Sequence, residues 1–272
     1  MSRDDFGDRM KQYEGAETQR MLMPMLPVCV RIDGRGFSRY TRDLPRPYDE
    51  RLVRCMVDTT RFLVQESSAC VGYTQSDEIS LILYTADPKT QLFFNGKIQK
   101  LVSVLASAAT VKFASLVREH MPEKADKLAM FDCRVWSVPN LAEASNVLLW
   151  RELDATRNSL QSAAGTYFSH AELHNKTQSD MHEMLFQKGV NWNNYPAYFK
   201  RGTYLQRRKV LRALTEEERL VIPEDYRPKP GEMLERTDIL ELELPPLRKV
   251  VNRVEVLFEG AEPEVQGDSN ER

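Results

Sequence analysis

The feature that most constrains the fold is a strand that ends on a carboxylate and runs into a glycine loop. Val28, Val30 and Ile32 alternate with Cys29, Arg31 and Asp33, and Gly34-Arg35-Gly36 follows at once. A period of two is that of a half-buried strand. Glycine lets the backbone after it turn tightly and approach a ligand closely. A second acidic site lies at Gly72-Tyr73-Thr74-Gln75-Ser76-Asp77-Glu78, which leads into the β-prone Ile79-Ser80-Leu81-Ile82-Leu83-Tyr84. This reads as two strands, 69–74 and 78–84, joined by an acidic turn. Each site alone has an ordinary explanation, because aspartate is a common turn or cap residue and an acidic hairpin tip is commonly solvated. The pair carries more. On adjacent strands Asp33 and Asp77 face one point, and two converging carboxylates are how a protein holds Mg²⁺ for phosphoryl chemistry.

The elements around these sites predict that adjacency. Asp49 is placed to cap a helix reaching about Gln65, with Leu52, Val53, Met56, Val57, Thr60, Leu63 and Val64 on one face. A second helix is expected from about Gly96 to Glu119 and stops at Pro122, and Phe131 to Val138 reads as a fourth strand. The order strand, helix, strand, strand, helix, strand is the split βαβ, or ferredoxin-like, arrangement of an α+β layer. In that topology the end of the first strand meets the turn of the central hairpin.

The remainder is less regular. Residues 1–20 read as a short polar helix, and Met21 to Pro27 as an apolar lead-in that should bury something, an interface included. Beyond Asn140 a helix is expected from Asn146 to about Tyr167, and another opens at Thr177-Gln178-Ser179-Asp180 and closes at Gly189. His170 and His174 are four apart, but nothing is spaced to complete a metal site with them. Basic and aromatic residues interleave from Trp192 to Lys209, which suits phosphates and bases and makes Arg207 and Arg208 candidate tRNA or phosphate contacts; a solvated strand with basic flanks fits equally. Arg39, Arg42 and Arg46 read as solvated surface or as facing a triphosphate. We expect a catalytic domain over 1–212, with a helical extension from about 140. A charged C-terminal extension over 213–272 follows, with a β-like run at 251–258 and disorder over 259–272.

Bulk properties exclude some classes. A net charge of −2 does not announce a nucleic-acid binder. The four cysteines are scattered without a C-x-x-C pair, which fits a reducing compartment and no disulfide framework. No apolar run approaches the ~20 residues of a membrane span, and the first residues are not a signal-peptide core, so a cytoplasmic protein without a membrane partner is expected.

Several segments in order resemble motifs of the tRNA(His) guanylyltransferase family. They are Arg31-Ile32-Asp33-Gly34-Arg35-Gly36-Phe37, Gln75-Ser76-Asp77-Glu78, Phe131-Asp132-Cys133-Arg134, Trp150-Arg151, Asn191-Trp192-Asn193-Asn194 and Lys200-Arg201-Gly202-Thr203. The resemblance implies a palm domain like that of polymerases, a fold that nucleotide cyclases share. It implies addition of nucleotides to the 5′ end of tRNA, with ATP, GTP and other triphosphates as substrates, and a homotetramer. It implies two Mg²⁺ ions on Asp33, the Gly34 carbonyl and Asp77, with Glu78 beside them in the catalytic set. Triphosphate binding then falls to Asp33, Gly34, Arg35, Gly36, Phe37, Ser38, Ser76 and Asp77, with Arg46 before Pro47 as the nearest match to a contact for the activating nucleotide. Arg134, Arg151, Asn158, Lys200 and Arg201 become candidate tRNA or phosphate contacts.

The chain departs from the eukaryotic pattern at Ser38 and at Thr156-Arg157-Asn158-Ser159, where that pattern has a histidine and an H-I-N-N motif. The departure resembles the bacterial and archaeal branch, which implies template-dependent 3′-to-5′ repair, with G addition to tRNA(His) not obligatory. Two rivals remain at this point: a palm-fold nucleotide cyclase, which needs no RNA, and a non-catalytic RNA-binding sheet, which expects aromatic residues in mid-strand.

Overall fold

The two helices expected on one face of a four-stranded antiparallel layer pack there. The computed structural model describes residues 5–266. Helix α1 (Asp5–Thr18) precedes β1 (Val28–Gly34), the one-turn α2 (Phe37–Tyr40), α3 (Glu50–Ser67), β2 (Val71–Gln75), β3 (Glu78–Leu83), α4 (Ile98–His120) and β4 (Phe131–Ser137). The chain continues through α5 (Leu141–Ala164), α6 (His170–Leu173), α7 (Gln178–Gln187), α8 (Ala197–Arg201), β5 (Thr203–Ala213), α9 (Glu216–Val221) and β6 (Met233–Leu242). The strands form one antiparallel sheet in the order β4-β1-β3-β2-β5-β6.

Alternation sorts the sheet's two faces. Val28, Val30 and Ile32 point to one side and pack with Met56, Leu63 and Val64 of α3 and Leu101, Leu105 and Phe113 of α4. Leu63, Ile79, Leu81 and Leu101 are at most 1% exposed, and each such side chain contributes about 1.5–3 kcal/mol of burial. By length and mean hydropathy (1.5) α4 has the dimensions of a membrane span, although Lys100, Lys112 and Arg118 interrupt it. Its Leu101, Leu105, Ala109, Phe113 and Leu116 stripe lies in this core.

The opposite face is covered as well. Cys29, Val71, Tyr73, Ile82 and Tyr204 pack with Ala144 and Leu148 of α5, and with Leu247, Val250, Val256 and Leu257 of the C-terminal segment. That segment is not the expected strand: residues Glu255–Glu259 form a π-helical turn. The Gln206 side chain donates to the carbonyls of Val256 (3.0 Å) and Leu257 (2.8 Å). The Leu247 N–H donates to the buried Glu152 carboxylate (2.8 Å), which also accepts from the Tyr204 hydroxyl (3.0 Å). Of the stretch expected to be disordered, Val265 bridges Val250, and 267–272 lie outside the described residues. The far end of α5 carries a small separate core with Met181 and Leu185 of α7.

Local signals act as expected at two caps. Asp49 accepts from the Arg51 N–H (2.9 Å), and Thr177 and Asp180 cap each other's backbone. Helix α5 starts earlier than expected, because Asn140 caps it by accepting from the Glu143 N–H (2.9 Å). The lead-in after α1 does not bury its methionines within this chain: Met21, Met23 and Met25 are 51%, 67% and 49% exposed.

Candidate active site

Antiparallel pairing puts Asp33 of β1 opposite Glu78 of β3 on one side and Asp132 of β4 on the other. The Gly34 N–H donates to the Asp77 carbonyl (3.1 Å), which ties the end of β1 to the turn between β2 and β3. A Cβ on Gly34 would stand 2.3 Å from the Phe37 ring and 2.9 Å from the Asp77 Cβ, so only glycine permits this approach. Gly36 has φ 67° and turns the chain into α2. Ser76 also holds a positive φ, 50°, a conformation that a non-glycine residue adopts at some cost. Its hydroxyl reaches the Asp77 carboxylate (3.1 Å).

The electrostatics follow from this crowding. Burial pushes the Asp77 carboxyl up to about 6, and the neighbouring negative charges of Asp33 and Glu78 add to it. Negative charge is thus crowded around the Asp77 carboxyl at this strand end. Among the described residues no group of three or more His, Cys, Asp or Glu side chains converges as a metal cage. Asp33 and Asp77 offer hard oxygen donors and leave the other positions to backbone, water or phosphate oxygens, which fits Mg²⁺. His170 and His174 stand with ring centroids 6.4 Å apart and form no such group.

Two side chains expected at the site hold each other instead. Glu78 and Arg151 are both 6% exposed and meet in a bidentate ion pair, with Nε and Nη2 each 2.6 Å from the carboxylate. Arg151 also donates to Asp154 (3.0 Å). The guanidinium is therefore committed to carboxylates inside the fold, and Glu78, the residue after Asp77, is held by it. The Phe37 ring is 5% exposed and packs on Tyr40, Phe113 and Phe131, so only its backbone can face a ligand. Arg35, Gly36 and Ser38 around it are exposed.

The remaining expected residues lie in three places. Arg134 is an exposed cross-strand neighbour of Arg31 and pairs with Asp132 (3.3 Å). Arg46 lies in a shallow cleft with Tyr48, Arg51 and Tyr195. Lys200 and Arg201 line a cavity of about 670 Å³ with His182, Trp192 and Arg248, and its lining includes neither Asp33 nor Asp77. Asn158 is exposed on α5. Arg207 is exposed, whereas Arg208 donates to the Gln206 side chain (2.9 and 2.5 Å) and packs over Gly260. Sequence reasoning singled out no role for Arg31 or Trp150, whose side chains lie against each other, with Arg31 two residues before Asp33. The available signal was that Arg31 sits two residues before Asp33, hence on the same sheet face.

The tRNAHis guanylyltransferase family model matches residues 7–139, the span that contains both aspartates. A tRNA(His) guanylyltransferase of Debaryomyces hansenii is 30% identical, over 73% of this chain and 80% of its own length. A bacterial tRNA(His) guanylyltransferase-like protein solved in complex with ATP superposes with a TM-score of 0.70 and 38% identity, covering 75% of this chain and 87% of that one. One solved in complex with GTP gives a TM-score of 0.70 and 32% identity, covering 90% and 95%.

Proposed function

This chain belongs to the tRNAHis guanylyltransferase family, and we propose that it is a nucleotidyltransferase that extends the 5′ end of tRNA in the 3′-to-5′ direction. Its ATP and GTP substrates are those with which the bacterial relatives were solved. The observation that carries the reading is the Gly34–Asp77 backbone bond, which places the two aspartates at one strand end. We read the β4-β1-β3-β2 half of the sheet, with α3 and α4 on one face, as a ferredoxin-like palm. We further place the enzyme in the cytosol as a homotetramer.

In the activating half-reaction an oxygen of the tRNA 5′-phosphate attacks the α-phosphorus of ATP and releases pyrophosphate. In the second, the 3′-hydroxyl of the incoming nucleotide attacks the activated 5′-phosphorus and releases AMP. Two Mg²⁺ ions held by Asp33, the Gly34 carbonyl and Asp77 would supply charge neutralisation at the phosphoryl oxygens and a lowered pKa for the attacking hydroxyl. Asp33 and Asp77 concentrate negative charge where the reaction needs cations. The exposed loop at Arg35, Gly36 and Ser38 offers the triphosphate a cation, a hydroxyl and open backbone. Neither half-reaction calls for a Cys or Ser nucleophile. The sequence Thr156-Arg157-Asn158-Ser159 on α5 favours template-dependent repair of 5′-truncated tRNA over obligatory G addition to tRNA(His).

The test uses a 5′-monophosphorylated tRNA lacking its first nucleotide, with Mg²⁺, ATP and each triphosphate in turn. Extension by the complementary nucleotide alone is expected. Asp33→Asn and Asp77→Asn should each lower the rate by roughly 10³-fold or more, several kcal/mol of transition-state stabilisation. Undiminished extension in either variant, or a cyclic nucleotide formed without RNA, would overturn the reading.

A further inference from the structure

Of the three tryptophans, only Trp150 is strongly exposed, with 49% of its surface open. It projects from α5 next to Arg31, which lies two residues before Asp33 on β1, and its surroundings pin it. The Arg151 guanidinium lies over the indole at 4.6 Å from the ring centroid. That guanidinium is itself locked to Glu78, the residue after Asp77. The indole is thus held in fixed relation to the catalytic turn, with half of it left to solvent. A large aromatic in that state is pre-organised for a flat partner.

The neighbours narrow the partner's chemistry. Arg31 stands with its Cζ 5.8 Å from the same ring. Its Nε is buried without a hydrogen-bond partner, and it makes no ion pair among the described residues. Arg31 precedes Asp33 by two residues on one sheet face, a separation of about 7 Å along a strand. That is the scale of one nucleotide. A π-surface beside a cation that has no hydrogen-bonded carboxylate, on a strand that ends at Asp33, fits a nucleic-acid end: base against indole, backbone towards the cation. Stacking accepts every base, because each has a π-face. That tolerance suits an enzyme that takes its sequence from a template strand.

We propose that the exposed indole of Trp150 is the stacking platform for the terminal base at the 5′ end of the RNA substrate and seats that end against Asp33. The proposal rests on the reading of the site as an RNA 5′-end transferase.

The probe is a 5′-monophosphorylated RNA acceptor hairpin, titrated without triphosphate and followed by tryptophan fluorescence. Binding should quench the wild-type signal, and most of the quench should be missing in Trp150→Phe. Trp150→Ala should bind the hairpin roughly 10- to 100-fold more weakly, and Trp150→Phe, which keeps a ring, should recover most of that loss. In turnover, Trp150→Ala should raise KM for RNA and leave KM for ATP and GTP unchanged, a split that general loss of structure would not give. Wild-type hairpin affinity in Trp150→Ala, or an equal rise in KM for RNA and triphosphates, would overturn the proposal. Asp33→Asn separates the two readings. It should abolish addition yet keep the quench, whereas addition surviving in Asp33→Asn would sink the transferase site whatever Trp150 does.

Discussion

Asp77 shows how a single residue links stability to function. Its folded-state pKa of about 6 lies above the unfolded value of about 3.9. An acid raised in this way binds its proton more tightly when folded. Its contribution is therefore fully present below about pH 4 and is lost as pH rises through about 6. In metal-free protein at pH 7.5, Asp77→Asn should raise Tm, by a free energy on the order of 2 kcal/mol, and the gain should vanish in melts at pH 4. A Tm gain independent of pH would contradict this. The two aspartates were legible in the sequence because each sits where a strand pattern breaks. The burial of Arg151 was not legible, because a lone arginine carries no mark of what it faces. Arg151→Ala leaves the Glu78 carboxylate buried and unpaired, so urea unfolding should show a loss of about 3–5 kcal/mol. Arg151→Lys should recover little of it, because an ammonium cannot bond both carboxylate oxygens as the fork does.

At the scale of elements, caps were legible where side-chain chemistry and helical periodicity agreed, as at Asp49 and Thr177. The helix beyond Asn140 was expected to start only at Asn146, yet the Asn140 side chain starts α5. Asparagine serves in turns and as a cap, and only the chain that follows decides between them. Asn140→Ala should cost about 1 kcal/mol in denaturant unfolding, and an unchanged midpoint would show that the cap is idle. Residues 251–258 were read as a β-like run, yet Glu255–Glu259 coil into a π-helical turn. Here tertiary hydrogen bonds from Gln206 override β-propensity.

At the scale of the molecule, the order of the first six elements was enough to place four of the six strands and bring the acidic sites together. What lay beyond residue 212 was not legible, since a charged, proline-punctuated stretch gives no sign that it returns to cover a sheet face. Leu247, fully buried beneath that return, anchors it. Leu247→Ala should lose about 2–5 kcal/mol and make residues 243–266 the first site cut by limited proteolysis. Equal protease resistance in variant and wild type would mean that the segment is held elsewhere.

The β5–β6 hairpin continues well past the last residue that β5 pairs with β2, and its crossing segment, 214–232, contributes nothing to the core clusters. Leu220, Val221 and Tyr226 stand 62%, 86% and 82% exposed there. For the experimenter this is a handle. A fluorophore or affinity tag spliced into the tip hangs from a stiff two-stranded stalk, clear of both aspartates, and reports on the enzyme without touching its chemistry.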